Sequence, residues 1–431
     1  MPRVDFRAKL LGEATYGYDA RLDGMVFGAA ARPPRYGATL ATADGAAARR
    51  MPGVIEVVVD LETSFAGVVA DTRTRAWAAV QALTVTWEGG TLVGQAEIDA
   101  RIVPGRGPVI RRAGSVRRGL AAGRVVEAEY RTPLAAHAHL EPLGALARVE
   151  PGDNGQEVWA PTQGPEFVIT GIREALGEER PVLVHPTQLG GSFGRKAGQS
   201  AAVEAARLAA AVGRPVHMGW TRTEDLRHGF YRPPTHTRLR GSVGADGRIL
   251  AVEQHSGSGD IIWAVAGLPE VVRDVLGFDP GGILGQFLPY QLPAYRVVNR
   301  REQLPVPTGP WRGLGLFPNT FALESFVDEL AARGRRRSAA VPAGPPAGQP
   351  RRAAAGRRAA PGGRTGRLGC PARIRPGPGD RLQPRPGHSR RPGRRGGPSR
   401  AGCGCAGSAW PSTAGWWSIR PARRGRLRVR W

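Results

Sequence analysis

The chain has 431 residues, room for two or three domains with cores of their own. Its formal charge of +25 is concentrated: 25 of the 61 basic residues lie from Arg333 onward against one acid, Asp380, while residues 1–332 hold 36 basic and 35 acidic groups. That balance excludes a body built around a polyanion, and because Cys370, Cys403 and Cys405 all lie in the tail, the body has no disulfide and no zinc or iron–sulfur site held by cysteine.

Residues 14–28 read as a turn and a short strand, and Arg32-Pro33-Pro34-Arg35 breaks any helix. The turn Met51-Pro52-Gly53 precedes the β-branched run Val54 to Val59, and Phe65 to Ala70 is a second strand. Thr72 to Leu83 has helical spacing, and Thr84 to Trp87 is again strand-like. These segments form a compact α+β unit, residues 1–90, followed by a polar connector, 91–124.

Val125 to Tyr130 alternates as a strand does. His137-Ala138-His139-Leu140-Glu141-Pro142 sets two histidines near a glutamate, but no third ligand stands at a spacing that suits a metal. Glu157 to Ala160 is a strand ending in the Pro161-Thr162-Gln163 loop, and Glu166 to Leu176 is a helix. Pro181 to His185 is the next strand. Gly190-Gly191-Ser192-Phe193-Gly194-Arg195-Lys196 follows, then a small-residue helix, Ser200 to Val212. Glycines let a backbone take φ > 0 and approach a ligand, and a strand-to-helix loop with Arg195 and Lys196 suits an anion; the plain alternative is a turn and nothing more. This order puts Gln163 and Phe193 at the ends of two strands, where α/β folds bind ligands.

Pro215 to Trp220 is a strand, and Thr237 to Val243 with Arg248 to His255 forms a hairpin around Ala245-Asp246-Gly247. Val298 to Leu304 is strand-like. Asn319 to Ala332 is an amphipathic helix with Asn319 as its expected N-cap. Beyond Gly334 no sustained period is visible and the composition is that of a disordered segment, 334–431. No apolar run approaches the ~20 residues of a membrane helix, and the N-terminus lacks an apolar signal segment. The expectation is a cytoplasmic protein with neither membrane nor nucleic acid as partner.

Taken together, Gly24-Met25, His139-Leu140-Glu141-Pro142, Val158 to Gln163, Gly190 to Lys196, Trp220 to Asp225, Tyr231-Arg232-Pro233, Pro310-Trp311-Arg312-Gly313 and Glu324 to Leu330 are similar, in order and spacing, to the molybdenum-binding subunit of the xanthine oxidase family. The match resembles the branch of isoquinoline 1-oxidoreductase β subunits and related aldehyde dehydrogenases, over about residues 3–333. The resemblance implies an α/β hammerhead domain over residues 1–90 and the first part of a molybdopterin-binding domain over 125–333. It implies a molybdenum–molybdopterin cofactor in the cytosine dinucleotide form, with no iron–sulfur cluster in this chain. Such enzymes hydroxylate an aldehyde or N-heterocycle with oxygen from water and pass electrons to an iron–sulfur small subunit. Full-length relatives leave a periplasmic location open.

By the same resemblance, Gln163 matches the glutamine near the metal's oxo group. Gly190, Gly191, Ser192, Phe193, Gly194 and Arg195 match the loop beneath the metal and against the pterin. Arg312 matches an arginine that steadies negative charge developing on substrate. Ala197 stands where purine-oxidising members carry glutamate, which disfavours a purine. The family's general-base glutamate would follow Gly334, yet residues 335–431 contain no glutamate. Loss of such a base costs typically about 10²–10⁴ in rate. The arginine-rich, lysine-free tail starting within a helix leads us to expect a shifted reading frame there and a truncated copy. A copy that only binds, and a basic tail that binds nucleic acid, are the two rival readings.

Overall fold

The computed structural model describes residues 3–150, 155–177, 181–198, 200–266, 269–334, 418–421 and 426–430. In chain order the strands are Val26–Ala30 (β1), Tyr36–Asp44 (β2), Val54–Asp60 (β3), Phe65–Ala70 (β4), Thr84–Thr91 (β5), Val109–Ala113 (β6), Arg124–Thr132 (β7) and Gly144–Val149 (β8). They continue with Gln156–Ala160 (β9), Val182–Pro186 (β10), Val216–Gly219 (β11), Thr235–Val243 (β12), Ile249–Ser258 (β13), Ala294–Arg301 (β14), Ser418–Pro421 (β15) and Arg426–Arg430 (β16). This is the mixed helix-and-strand fold that the sequence leads one to expect.

One sheet runs β10-β9-β8-β11-β1-β4-β3, a second runs β15-β16-β7-β12-β13-β14-β6, and β2 pairs with β5 in a two-stranded sheet. β1 lies parallel to β11, Val26 opposite Val216, so the first sheet takes strands from residues 1–90 and from beyond 125 alike. The alanine-rich helix Ser200–Val212 buries Ala201, Ala202, Ala205, Ala206, Leu208 and Ala209 against that sheet. Small side chains allow a close approach: a Cβ at Gly28 would stand 2.5 Å from Leu208 Cδ1. The helix Arg73–Gln81 packs Ala76, Ala79 and Val80 into a separate cluster with Leu40, Ala66 and Val68. The helix Leu316–Arg333 covers the second sheet, where Leu323, Phe326, Val327 and Leu330 meet Leu239, Val252 and Val297.

Three sequence expectations change. Residues 91–124 are not a bare connector: they hold the helices Gln95–Arg101 and Val116–Ala121, and β6 between them pairs antiparallel with β14. β6 escapes a periodicity reading because Arg111 and Arg112 are consecutive, and the Arg111 guanidinium lies over the rings of Phe287 and Tyr295. β8 also escapes it: between β9 and β11 it is covered on both faces, so its residues do not alternate. Asn319 is not an N-cap. The helix starts three residues earlier, and buried Asn319 donates from Nδ2 to the carbonyls of Gly282 (2.8 Å) and Leu284 (2.7 Å). In the tail, β16 lies parallel to β7 and antiparallel to β15. Its Arg-Leu-Arg-Val-Arg sequence alternates with a period of two. The remainder of 335–431 is outside the described residues.

Candidate functional site

β9 and β10 run parallel, Val158 opposite Val184, with the helix Pro165–Leu176 crossing between them. The segments that leave both strands therefore emerge on the same side of the sheet. Gln163 follows β9, and the glycine loop follows β10. The Gln163 main-chain N–H donates to the Lys196 carbonyl at 2.9 Å. Its side chain accepts the Gly194 N–H at 3.1 Å and the Ser192 hydroxyl. A backbone N–H can only donate, so the side-chain atom it faces is the amide oxygen. The Gln163 NH₂ has no acceptor among the described residues.

A third segment closes on the loop. The Arg312 N–H donates to the Phe193 carbonyl at 2.8 Å. Gln163, the glycine loop and Arg312, named separately from the sequence, are thus in direct contact. Arg312 is exposed, and its guanidinium makes no ion pair among the described residues. Phe193 is also exposed, and holds φ of +57°. A left-handed conformation costs a residue with a Cβ about 1 kcal/mol, so the bonds on either side must hold it.

Two of the glycines are needed for a different reason from the one read in the sequence. A Cβ at Gly194 (φ +110°) would stand 2.1 Å from the Pro310 carbonyl oxygen, and one at Gly190 would stand 2.4 Å from Glu141 Cβ. They admit other segments of this chain. The ligand-facing part is smaller: the N–H groups of Gly191, Ser192 and Phe193 have no partner among the described residues.

Arg195 and Lys196 do not serve an anion on this loop, a correction to the sequence reading. Both are buried. Lys196 Nζ stands 2.6 Å from Glu141 Oε2. The Arg195 guanidinium lies over the rings of Trp220 and Phe230, with Nε 3.8 Å from Asp225 Oδ1. Burial lowers the pKa of both cations, and the nearby carboxylates oppose that shift. Two cations with carboxylate neighbours in the interior have no charge left to offer outside.

The histidines flanking Glu141 are interior groups too. His137 donates from Nε2 to the Pro310 carbonyl at 2.9 Å and packs edge-on against Phe230 and Trp311. His139 is fully buried, 3.5 Å from Asp225, with no hydrogen bond to either ring nitrogen among the described residues. Burial pushes His137 down to about 4, and burial with the Lys196 and Arg195 charges pushes His139 down to about 3. At neutral pH both rings are uncharged, so the His139–Asp225 approach is a polar contact and not an ion pair. Asp225 has its pKa raised by burial, and Arg222 bonds both it (3.1 Å) and the Leu140 carbonyl (2.7 Å). The sequence marked Glu141 beside the histidines and the run Trp220 to Asp225, but gave Glu141, Asp225 and Arg222 no role in common; the Thr221–Glu224 capping box sets Asp225 on its helix.

Residues 103–340 match the family described as the molybdopterin cofactor-binding domain, more than half of the chain, and the chain belongs to that family. Its curated relatives include proteins named as molybdenum-binding subunits of aldehyde oxidoreductase and xanthine dehydrogenase. It is 28% identical over 357 residues to the membrane-bound aldehyde dehydrogenase (pyrroloquinoline-quinone) of Gluconacetobacter polyoxogenes, covering 77% of this chain and 45% of the relative. It is 29% identical over 351 residues to the isoquinoline 1-oxidoreductase subunit beta of Brevundimonas diminuta, covering 77% and 44%. Among solved structures, quinoline 2-oxidoreductase of Pseudomonas putida 86 superposes with a TM-score of 0.62 at 22% identity, over 78% of this chain and 48% of that one, a likeness of fold. The chain spans less than half the length of the curated relatives it matches.

The donor set fits the group that the family implies. A pterin is held by hydrogen bonds to its heteroatoms, and three neighbouring loop N–H groups with the Gln163 carboxamide NH₂ supply donors for them. Among the described residues no cluster of three or more His, Cys, Asp or Glu stands ready to ligate a metal. Among the described residues, too, no helix is long and apolar enough to cross a membrane.

Proposed function

We propose that this chain contributes the Gln163 and glycine-loop face of a molybdenum–molybdopterin site that oxidises aldehydes or N-heterocycles. The observation that carries the proposal is the convergence of Gln163, Gly191 to Gly194 and Arg312 on one another through hydrogen bonds, with unpartnered donors left on the loop. The N–H groups of Gly191, Ser192 and Phe193 and the Gln163 carboxamide would hold the cofactor. Gly190 gives the loop room over Glu141, and Arg195 braces it from beneath. The group, when bound, supplies a two-electron redox centre. Phe193 offers an apolar surface that excludes water from beside it. Arg312 is positioned by its own N–H and leaves its guanidinium free to steady negative charge developing on a carbonyl or ring nitrogen.

The cytosine dinucleotide form of the cofactor, an iron–sulfur small subunit as electron acceptor and a cytoplasmic location belong to this proposal. The relatives' names as subunits support the partner; one relative named as membrane-bound makes the location the part most in need of a test. The deciding experiment is elemental analysis of the purified chain together with oxidative release of its pterin. About one molybdenum and one pterin per chain is the expected result for an intact site. A folded chain from a host that makes the cofactor, holding neither, would overturn the reading.

A further inference from the structure

Glu141 is bonded to two distant stretches of the chain, at one point in the first and two in the second. Its carboxylate accepts the Tyr18 N–H (3.2 Å), the Gly190 N–H (2.9 Å) and the Lys196 ammonium (2.6 Å). Its own N–H donates to the Gly190 carbonyl at 2.9 Å, so Glu141 and Gly190 are tied in both directions. Lys196 is the matching node. Its ammonium meets Glu141, its N–H donates to Ser192 Oγ at 2.9 Å, and its carbonyl accepts the Gln163 N–H at 2.9 Å and the Thr162 hydroxyl at 3.4 Å. Through these two residues the N-terminal segment, the loop after β9 and the loop after β10 share one set of bonds.

We propose that Glu141 and Lys196 are a positioning pair: a buried charge pair that holds the Gly191 to Phe193 amides and the Gln163 carboxamide in register before any ligand arrives. The role rests on reading that face as the pterin-holding one, but the geometry can be tested apart from it. A buried ion pair is weak evidence for stability, because an apolar pair of similar volume is often as good. What an apolar pair cannot do is aim three donors at one carboxylate and so pin a loop whose Phe193 sits at +57°. Loop position and fold stability are therefore separable in this pair.

The test is the near-isosteric double variant E141Q/K196M, which removes both charges and leaves neither alone in the interior. Amide hydrogen exchange, read by mass spectrometry, compares residues 187–197 with the hairpin of β12 and β13. The pair predicts exchange at least about tenfold faster in 187–197 with the hairpin unchanged. It also predicts pterin retention lowered about tenfold, on the same free-energy scale. Loop exchange within about twofold of the parent, in a variant whose hairpin stays protected, would overturn the proposal. If the double variant does not fold, K196R, which keeps the charge but changes its reach, is read the same way: faster loop exchange supports the pair and unchanged exchange overturns it. A parent chain that holds no pterin would sink the proposed function and still leave the exchange comparison to decide on the pair.

Discussion

The two seven-stranded sheets are held in different ways. The second is a stack of long antiparallel neighbours, β7, β12 and β13, sealed by the apolar face of the helix Leu316–Arg333. The first draws β1, β4, β8, β9, β10 and β11 from distant parts of the chain, and its loop-bearing end is tied by polar groups: the buried Lys196, Asp225, Arg195 and neutral histidines, and the largely buried Glu141. An apolar seal tolerates acid and salt and fails by losing volume. A polar frame holds donors at fixed positions and fails when a charge changes. A site that must present several hydrogen-bond donors to one ligand needs the second kind of support.

Acid should break the comparison most strongly. His137, His139 and His217 lie on the site side, pushed by burial to about 4, about 3 and about 4. His217 accepts from Arg73 at Nδ1 (3.3 Å) and donates from Nε2 to the Gly17 carbonyl (2.9 Å), a neutral arrangement. An unfolded histidine takes a proton near 6.5, and these folded ones refuse it until near 4 or below. Their stabilisation is complete above pH 6.5 and is lost as pH falls from there toward 4. The slope is up to roughly 1.4 kcal/mol per pH unit for each ring. Urea titrations at pH 7.5, 6 and 5 should show it, and a flat profile would refute the assignment.

Removing volume from the other side comes next. F326A empties a fully buried position under the second sheet and should cost about 4 kcal/mol by urea denaturation. K196M alone leaves Glu141 buried without its cation and should cost about 3 kcal/mol, much of it recovered when E141Q is added. Q163A frees the Gly194 N–H and should cost only about 1 kcal/mol of stability. Its pterin content per chain should fall about tenfold, a separation that F326A would not produce. Smallest in stability is R312A, expected within about 0.5 kcal/mol of the parent because the side chain is exposed. On the proposed function its effect is in turnover, a fall of about 10²–10³ in kcat with aldehyde or N-heterocycle.

Much of this was legible in the sequence. Hairpin, helix Ser200–Val212, the parallel pair around Gln163 and the glycine loop all carry local period or turn chemistry. What escaped were elements whose environment lies elsewhere. β8 has no alternation because neighbours cover both faces, and β6 reads as polar because its arginines lie on aromatic rings. Asn319 looked like a cap because Asn favours caps, yet two loop carbonyls from thirty-odd residues upstream claim its amide.

The sequence by itself determined the family, the order of the site segments and the residues that meet there, because those depend on residue type and spacing. Only the tertiary structure decided which way each charge faces. Arg195 and Lys196, the phosphate-binding candidates of a linear reading, turn inward because Asp225 and Glu141, thirty and fifty-five positions away, supply the partners that make their burial tolerable. Phe193 and Arg312, between and beyond them, are left facing out.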